Sequence, residues 1–81
     1  MATDSISQIL PIELLRQGER GLIHELDGNE EVIHRLAELG LREQVELTMI
    51  QQGQPCIVCV GDHRLTLRLD PSLTIFVEVS H

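Results

Sequence analysis

Apolar residues recur along this chain with two different periods, and the change of period divides it. Val32, Ile33, Leu36, Ala37 and Leu39 follow i, i+3, i+4, i+7 spacing, the stripe of a helix that lies on a core. Asn29 can cap that helix, and Glu30 and Glu31 place negative charge on its positive end. Gly40 followed by Leu41 fits a glycine-terminated C-cap, so the helix is expected from about Glu30 to Leu39. After Leu41 the period becomes two. Val45, Leu47 and Met49 alternate with Glu46, Thr48 and Ile50, and Cys56 to Val60 is a second β-rich run. Gly61-Asp62-His63 reads as a hairpin loop leading into Leu65, Leu67 and Leu69, which alternate with Arg64, Thr66 and Arg68. Asp70-Pro71-Ser72 breaks that strand, and Ile75, Val77 and Val79 alternate with Phe76 and Glu78 in the last one.

Before the helix the pattern is weaker. Residues 1–8 are polar and expected to be a flexible, frayed N-terminus, leaving one domain over 9–81. Ile9 to Leu15 around Pro11 is expected to form a short helical turn, closed by the Gly18 to Gly21 region. Leu22 to Leu26 then reads as the first strand, with Asp27-Gly28 as its exit. The sum is a mainly β domain of about five short strands with one α-helix inserted after the first. In so short a chain such strands are expected to curl into a small barrel, because closure hides strand edges.

Composition narrows the function. The 81 residues carry a formal net charge of -7, all six cations are Arg, and Phe76 is the sole aromatic residue. A nucleic-acid binder needs a basic stripe and usually aromatic faces for stacking, so no nucleic-acid partner is expected. No apolar run approaches the ~20 residues that span a bilayer, and Met1 to Leu10 lacks the basic start and apolar stretch of an export signal. The expectation is a soluble, unexported protein without direct membrane insertion, whose Cys56 and Cys59 remain thiols. The charge is uneven. Residues 1–46 hold ten acids and four arginines, whereas residues 47–81 hold three acids and two arginines. The acidic excess peaks at Glu25, Asp27, Glu30 and Glu31.

The segment Arg35-Leu36-Ala37-Glu38-Leu39-Gly40-Leu41 resembles the signature of FeoA, the small accessory protein of bacterial ferrous iron transport. Gly18 and Gly21 before it, and Leu65-Thr66-Leu67-Arg68 and the Ile75 to Val79 strand after it, extend the likeness over roughly Leu10 to Val79. The chain departs at Arg42-Glu43-Gln44, where the family commonly has a proline or glycine turn. The resemblance implies an SH3-like barrel with an inserted helix. It also implies a non-catalytic, cytoplasmic role in Fe2+ uptake, binding and regulating the FeoB permease from its cytosolic side, and so an association with the inner membrane through the permease. The alternative it leaves is a metal-binding or metal-sensing domain similar to the C-terminal SH3-like domain of iron-dependent repressors.

Candidate residues follow. Arg35, Glu38, Leu39, Gly40, Leu41 and Arg42, at the helix end and the loop after it, form one partner surface if the resemblance holds, with Leu39 and Leu41 expected to serve the core rather than the contact. Arg64 and Arg68, opposite the leucines of their strand, are candidates for another; the plainer reading is a charged, solvated strand face. Glu30, His34 and Glu38 are spaced to share a helical face and suit a weak Fe2+ or Zn2+ site; the plainer reading is a solvated face with pairs such as Glu31 and Arg35. Cys56 and Cys59 match a CxxC pattern, but in a strand i and i+3 point to opposite faces, so one buried and one more exposed thiol are expected. No nucleophile with a positioned base is recognisable, so no enzyme is expected.

Overall fold

A computed structural model describes residues 7–69 and 72–80. Its elements in chain order are β1 (Ser7–Pro11), a 3-10 turn (Ile12–Leu14), β2 (Arg20–Gly28), α1 (Glu30–Glu38), β3 (Glu46–Gln51), β4 (Cys56–Val60), β5 (His63–Leu67) and β6 (Leu73–Ser80). The strands form one antiparallel sheet in the order β1-β6-β2-β3-β4-β5. The fold is mainly β, as expected for an SH3-like barrel.

The alternation after Leu41 explains why the sheet curls. Ile23, Leu47, Met49, Cys56, Val58, Leu67, Ile75, Val77 and Val79 come from five strands, yet all are buried in a single cluster. A flat sheet would spread them over one broad face, so the sheet must wrap around them. Ile12 and Leu15 join this core from the 3-10 turn and its end, and Leu36 and Leu41 join it from the helix and its exit. Among the described residues no pairing links β1 to β5.

The structure corrects the N-terminal expectations. Ser7 and Gln8 are not frayed; they start a sixth strand, β1, which pairs with β6 from Ser7 opposite Ser80 to Pro11 opposite Phe76. The helical turn is confined to Ile12–Leu14. Five residues give too short a stretch for alternation to register, and their pairing partner lies some seventy positions away. The helix therefore follows the second strand, not the first. Residues 1–6 of the expected flexible segment, and Asp70 and Pro71 of the expected strand break, lie outside the described residues.

The turn at Arg42-Glu43-Gln44 is tied to β2. Gln44 takes a positive φ of 72° in place of a glycine. Its N–H donates to the Ile23 carbonyl at 2.8 Å, and the Ile23 N–H donates to the Val45 carbonyl at 2.8 Å. Those two bonds hold a conformation that costs a non-glycine residue about 1 kcal/mol.

Candidate functional site

The end of α1 is built by backbone bonds that close a Schellman motif. The Gly40 N–H donates to the Ala37 carbonyl at 3.0 Å and the Leu41 N–H to the Leu36 carbonyl at 2.9 Å. Gly40 has a φ of 103°, which a residue with a Cβ rarely adopts. Leu41 is thereby turned onto Leu36 and both are buried. Leu39, the C-cap, has no such contact to make and is 51% exposed. This corrects the expectation for Leu39, because the cap geometry brings Leu41 to the core and leaves Leu39 at the surface.

Arg35 and Arg42 flank this leucine in sequence and are exposed, as is Glu38. A Cβ on Gly40 would lie 3.7 Å from Val60 Cγ1, so the helix end abuts the end of β4. Val60 pairs with His63 across the two-residue loop Gly61-Asp62, and Cys59 pairs with Arg64. The structure therefore brings Arg64 to the same end of the molecule as the α1 terminus. Arg68 lies four residues further along, ~13 Å at strand spacing, beyond the end of β5. There Gln54 holds the neighbouring backbone: its side-chain amide donates to the Leu69 carbonyl and accepts from the Leu69 N–H. Arg64 and Arg68 are both exposed but do not form one cluster.

On the exposed side of α1, Glu30, Glu31, His34, Arg35 and Glu38 line a shallow open depression. His34 Nδ1 lies 3.9 Å from Glu38 Oε2, with both side chains well exposed. The expected Glu31–Arg35 pair does not form, and the i, i+4 contact on this face is that of His34 with Glu38. Among the described residues no three His, Cys, Asp or Glu side chains converge as a set that could hold a metal ion.

The two thiols are free, Cys56 buried and Cys59 half-buried. Cys56 faces the core opposite Leu67, and the Cys59 thiol, on the other face, donates to the Gly61 carbonyl at 3.4 Å. Burial pushes the Cys56 thiol up; a backbone hydrogen bond acts against this, and the negative charge of Glu13 adds to it slightly. Among the described residues no helix is long and apolar enough to cross a membrane.

The model of the FeoA domain matches residues 10–79, which span β1 to β6 and include the capped helix end. The chain belongs to the FeoA family. FeoA domains are small domains associated with ferrous iron transport, so the chain is a small iron-uptake-associated protein. A crystal structure titled as an iron uptake regulatory protein (FeoA) superposes with a TM-score of 0.78, covering 91% of this chain and 100% of that one at 17% identity. At that identity the likeness speaks for the SH3-like fold alone. A search of curated protein sequences gave no match.

One surface of this FeoA domain escaped the sequence reading: the outer face of the sheet around Phe76, where Leu22 and Phe76 are half-buried without joining the core. The signal was present in the alternation itself, since buried Ile75, Val77 and Val79 oblige Phe76 and Glu78 to point outward.

Proposed function

We propose that this FeoA-family chain is a non-catalytic, cytoplasmic accessory protein of Fe2+ uptake. In this reading it docks on the cytosolic side of the FeoB permease through the end of α1 and regulates transport. The observation that supports the docking site is Leu39. A leucine 51% exposed, flanked by Arg35 and Arg42 and held on a hydrogen-bonded helix terminus, offers a preorganised apolar anchor with a charged rim. Such an anchor loses little conformational entropy when a partner covers it. Arg64 lies at the same end, on the Cys59 face of the hairpin and not on the Val60 face that meets the helix end.

The alternative, a metal-sensing domain, has less support. His34 and Glu38 are the two ligand-type side chains in contact on the α1 face, and both are well exposed. Two exposed ligands give at most a weak Fe2+ or Zn2+ site.

The test is capture of purified FeoB, or of its cytosolic domain, by the wild-type chain and by Leu39→Ser and Arg35→Glu/Arg42→Glu variants with unchanged circular dichroism. Retention by wild type and loss by the variants is expected. Equal capture by all three overturns the assignment of the surface, and no capture by wild type overturns the permease partner. Anaerobic calorimetry with Fe2+ tests the alternative: saturable heat abolished by His34→Ala would favour it.

A further inference from the structure

A second surface, of opposite sign, lies on the outside of the sheet. Directly opposed residues of antiparallel strands share a face. Ile9 on β1 opposes Glu78 on β6, Glu78 opposes Leu22 on β2, and Leu22 opposes Glu46 on β3. The neighbouring row runs from Pro11 through Phe76 to Glu25, past the bulge at His24. Both rows face outward, because Val77 and Val79 on either side of Glu78 and Leu47 beside Glu46 are buried. The first row crosses three inter-strand gaps, ~14 Å, and the two rows lie ~7 Å apart.

This face combines exposed apolar side chains with carboxylates that have no partner among the described residues. Ile9 is 50% exposed, and Leu22, Phe76 and Pro11 are half-buried without belonging to the core. Glu25, Glu46 and Glu78 stand among them, and among the described residues none of the three forms an ion pair or a side-chain hydrogen bond. Leu22, Glu46 and Glu78 line a shallow depression together with Arg20, Gly21 and Ser80. Carboxylates gathered on one face of a sheet make its potential negative and attract cations. An anionic membrane is therefore a poor occupant. A second copy of this face is too, since it would bring a matching set of carboxylates against the first.

We infer that the outer face of β1, β6, β2 and β3 docks a basic amphipathic helix of a partner polypeptide. The dimensions fit. Ile9 and Leu22 are two strand gaps apart, ~10 Å, close to the ~10.5 Å between residues i and i+7 on one helical stripe. Apolar side chains at that spacing meet Ile9 and Leu22, with Phe76 in the neighbouring row, while Arg or Lys residues of the helix reach Glu78 between them, Glu46 beyond Leu22 and Glu25 beside Phe76. The footprint is small, so the complex is a weak, exchanging one. This surface is separate from the α1 end, and its test does not need the permease.

The experiment is a titration of the 15N-labelled full chain with a synthetic helical peptide carrying Leu at i, i+3 and i+7 and Arg beside them. A peptide of the same charge with Ser for Leu serves as control. Amide shifts centred on Ile9, Leu22 and Phe76 are expected, with binding weakened about tenfold by Glu46→Lys/Glu78→Lys and by the Ser peptide. The acidic face of α1 is an internal control. Shifts centred on Glu30, Glu31 and Glu38, equal binding of both peptides, or indifference to the two lysines each overturn the inference. So do concentration-dependent shifts of this face without peptide, which would assign it to a second copy. A permease that fails to bind would remove the docking proposal above and leave this one standing.

Discussion

The N–H of Leu41 donates to the carbonyl of Leu36 at 2.9 Å, across a turn that only the positive φ of Gly40 permits. This bond fixes the direction in which the chain leaves α1, buries Leu41 against the core, and turns Leu39 outward. The exposed leucine that we assign to partner docking is thus a consequence of the same geometry that completes the hydrophobic core.

Gly40→Ala should destabilise the domain by about 1 kcal/mol, because alanine must adopt a φ near 103°. Urea unfolding followed by circular dichroism measures this. If the cap is as described, partner capture at Leu39 weakens along with stability, whereas Leu39→Ser weakens capture alone.

Gly28 precedes the helix, and a Cβ there would lie 2.0 Å from the Ser72 carbonyl oxygen. The atoms it would meet are backbone atoms of Ser72 and Leu73, so there is no flexible side chain to give way. Gly28→Ala is therefore expected to cost about 1 to 3 kcal/mol, and to shift the amide resonances of both Asn29 and Leu73.

Asn29 accepts hydrogen bonds at its side-chain oxygen from the N–H groups of Glu31 at 2.8 Å and Val32 at 3.4 Å. Asn29→Ala leaves these donors without that cap and should cost about 1 kcal/mol. Asn29→Asp keeps the acceptor and adds a charge the helix N-terminus favours, so its unfolding midpoint should match or exceed that of the wild type.

The thiol of Cys56 is raised by burial, so the folded state prefers it neutral. As pH rises, the unfolded chain ionises first, from about pH 8.5. The stability this thiol contributes is complete below that pH and is lost as pH climbs through the raised folded value. Stability should therefore fall from about pH 9 upward in the wild type, and fall less in Cys56→Ala, when urea midpoints are compared across pH. Ellman's reagent should reach the half-buried Cys59 in the native protein and Cys56 on unfolding.

What the sequence by itself determined is local. Asn29, the apolar stripe and Gly40 mark the helix to within one residue, because caps and 3.6-residue periodicity act within a few positions. The alternation after Leu41 gives β3 to β6, and it makes legible that Cys56 and Cys59 lie on opposite faces and that Phe76 points outward; which thiol is buried is decided by the fold. The segment 35–41 taken together with Gly18, Gly21, Leu65-Thr66-Leu67-Arg68 and the Ile75 to Val79 strand was specific enough to name the family. The tertiary structure alone decided the rest. Ser7–Pro11 is a strand because β6, far along the chain, offers it an edge to pair with. Leu39 is exposed because a cap bond chose Leu41 for the core. Ile9, Glu78, Leu22 and Glu46 form one surface because strands distant in sequence lie side by side, and pairing across that distance leaves no trace in local periodicity.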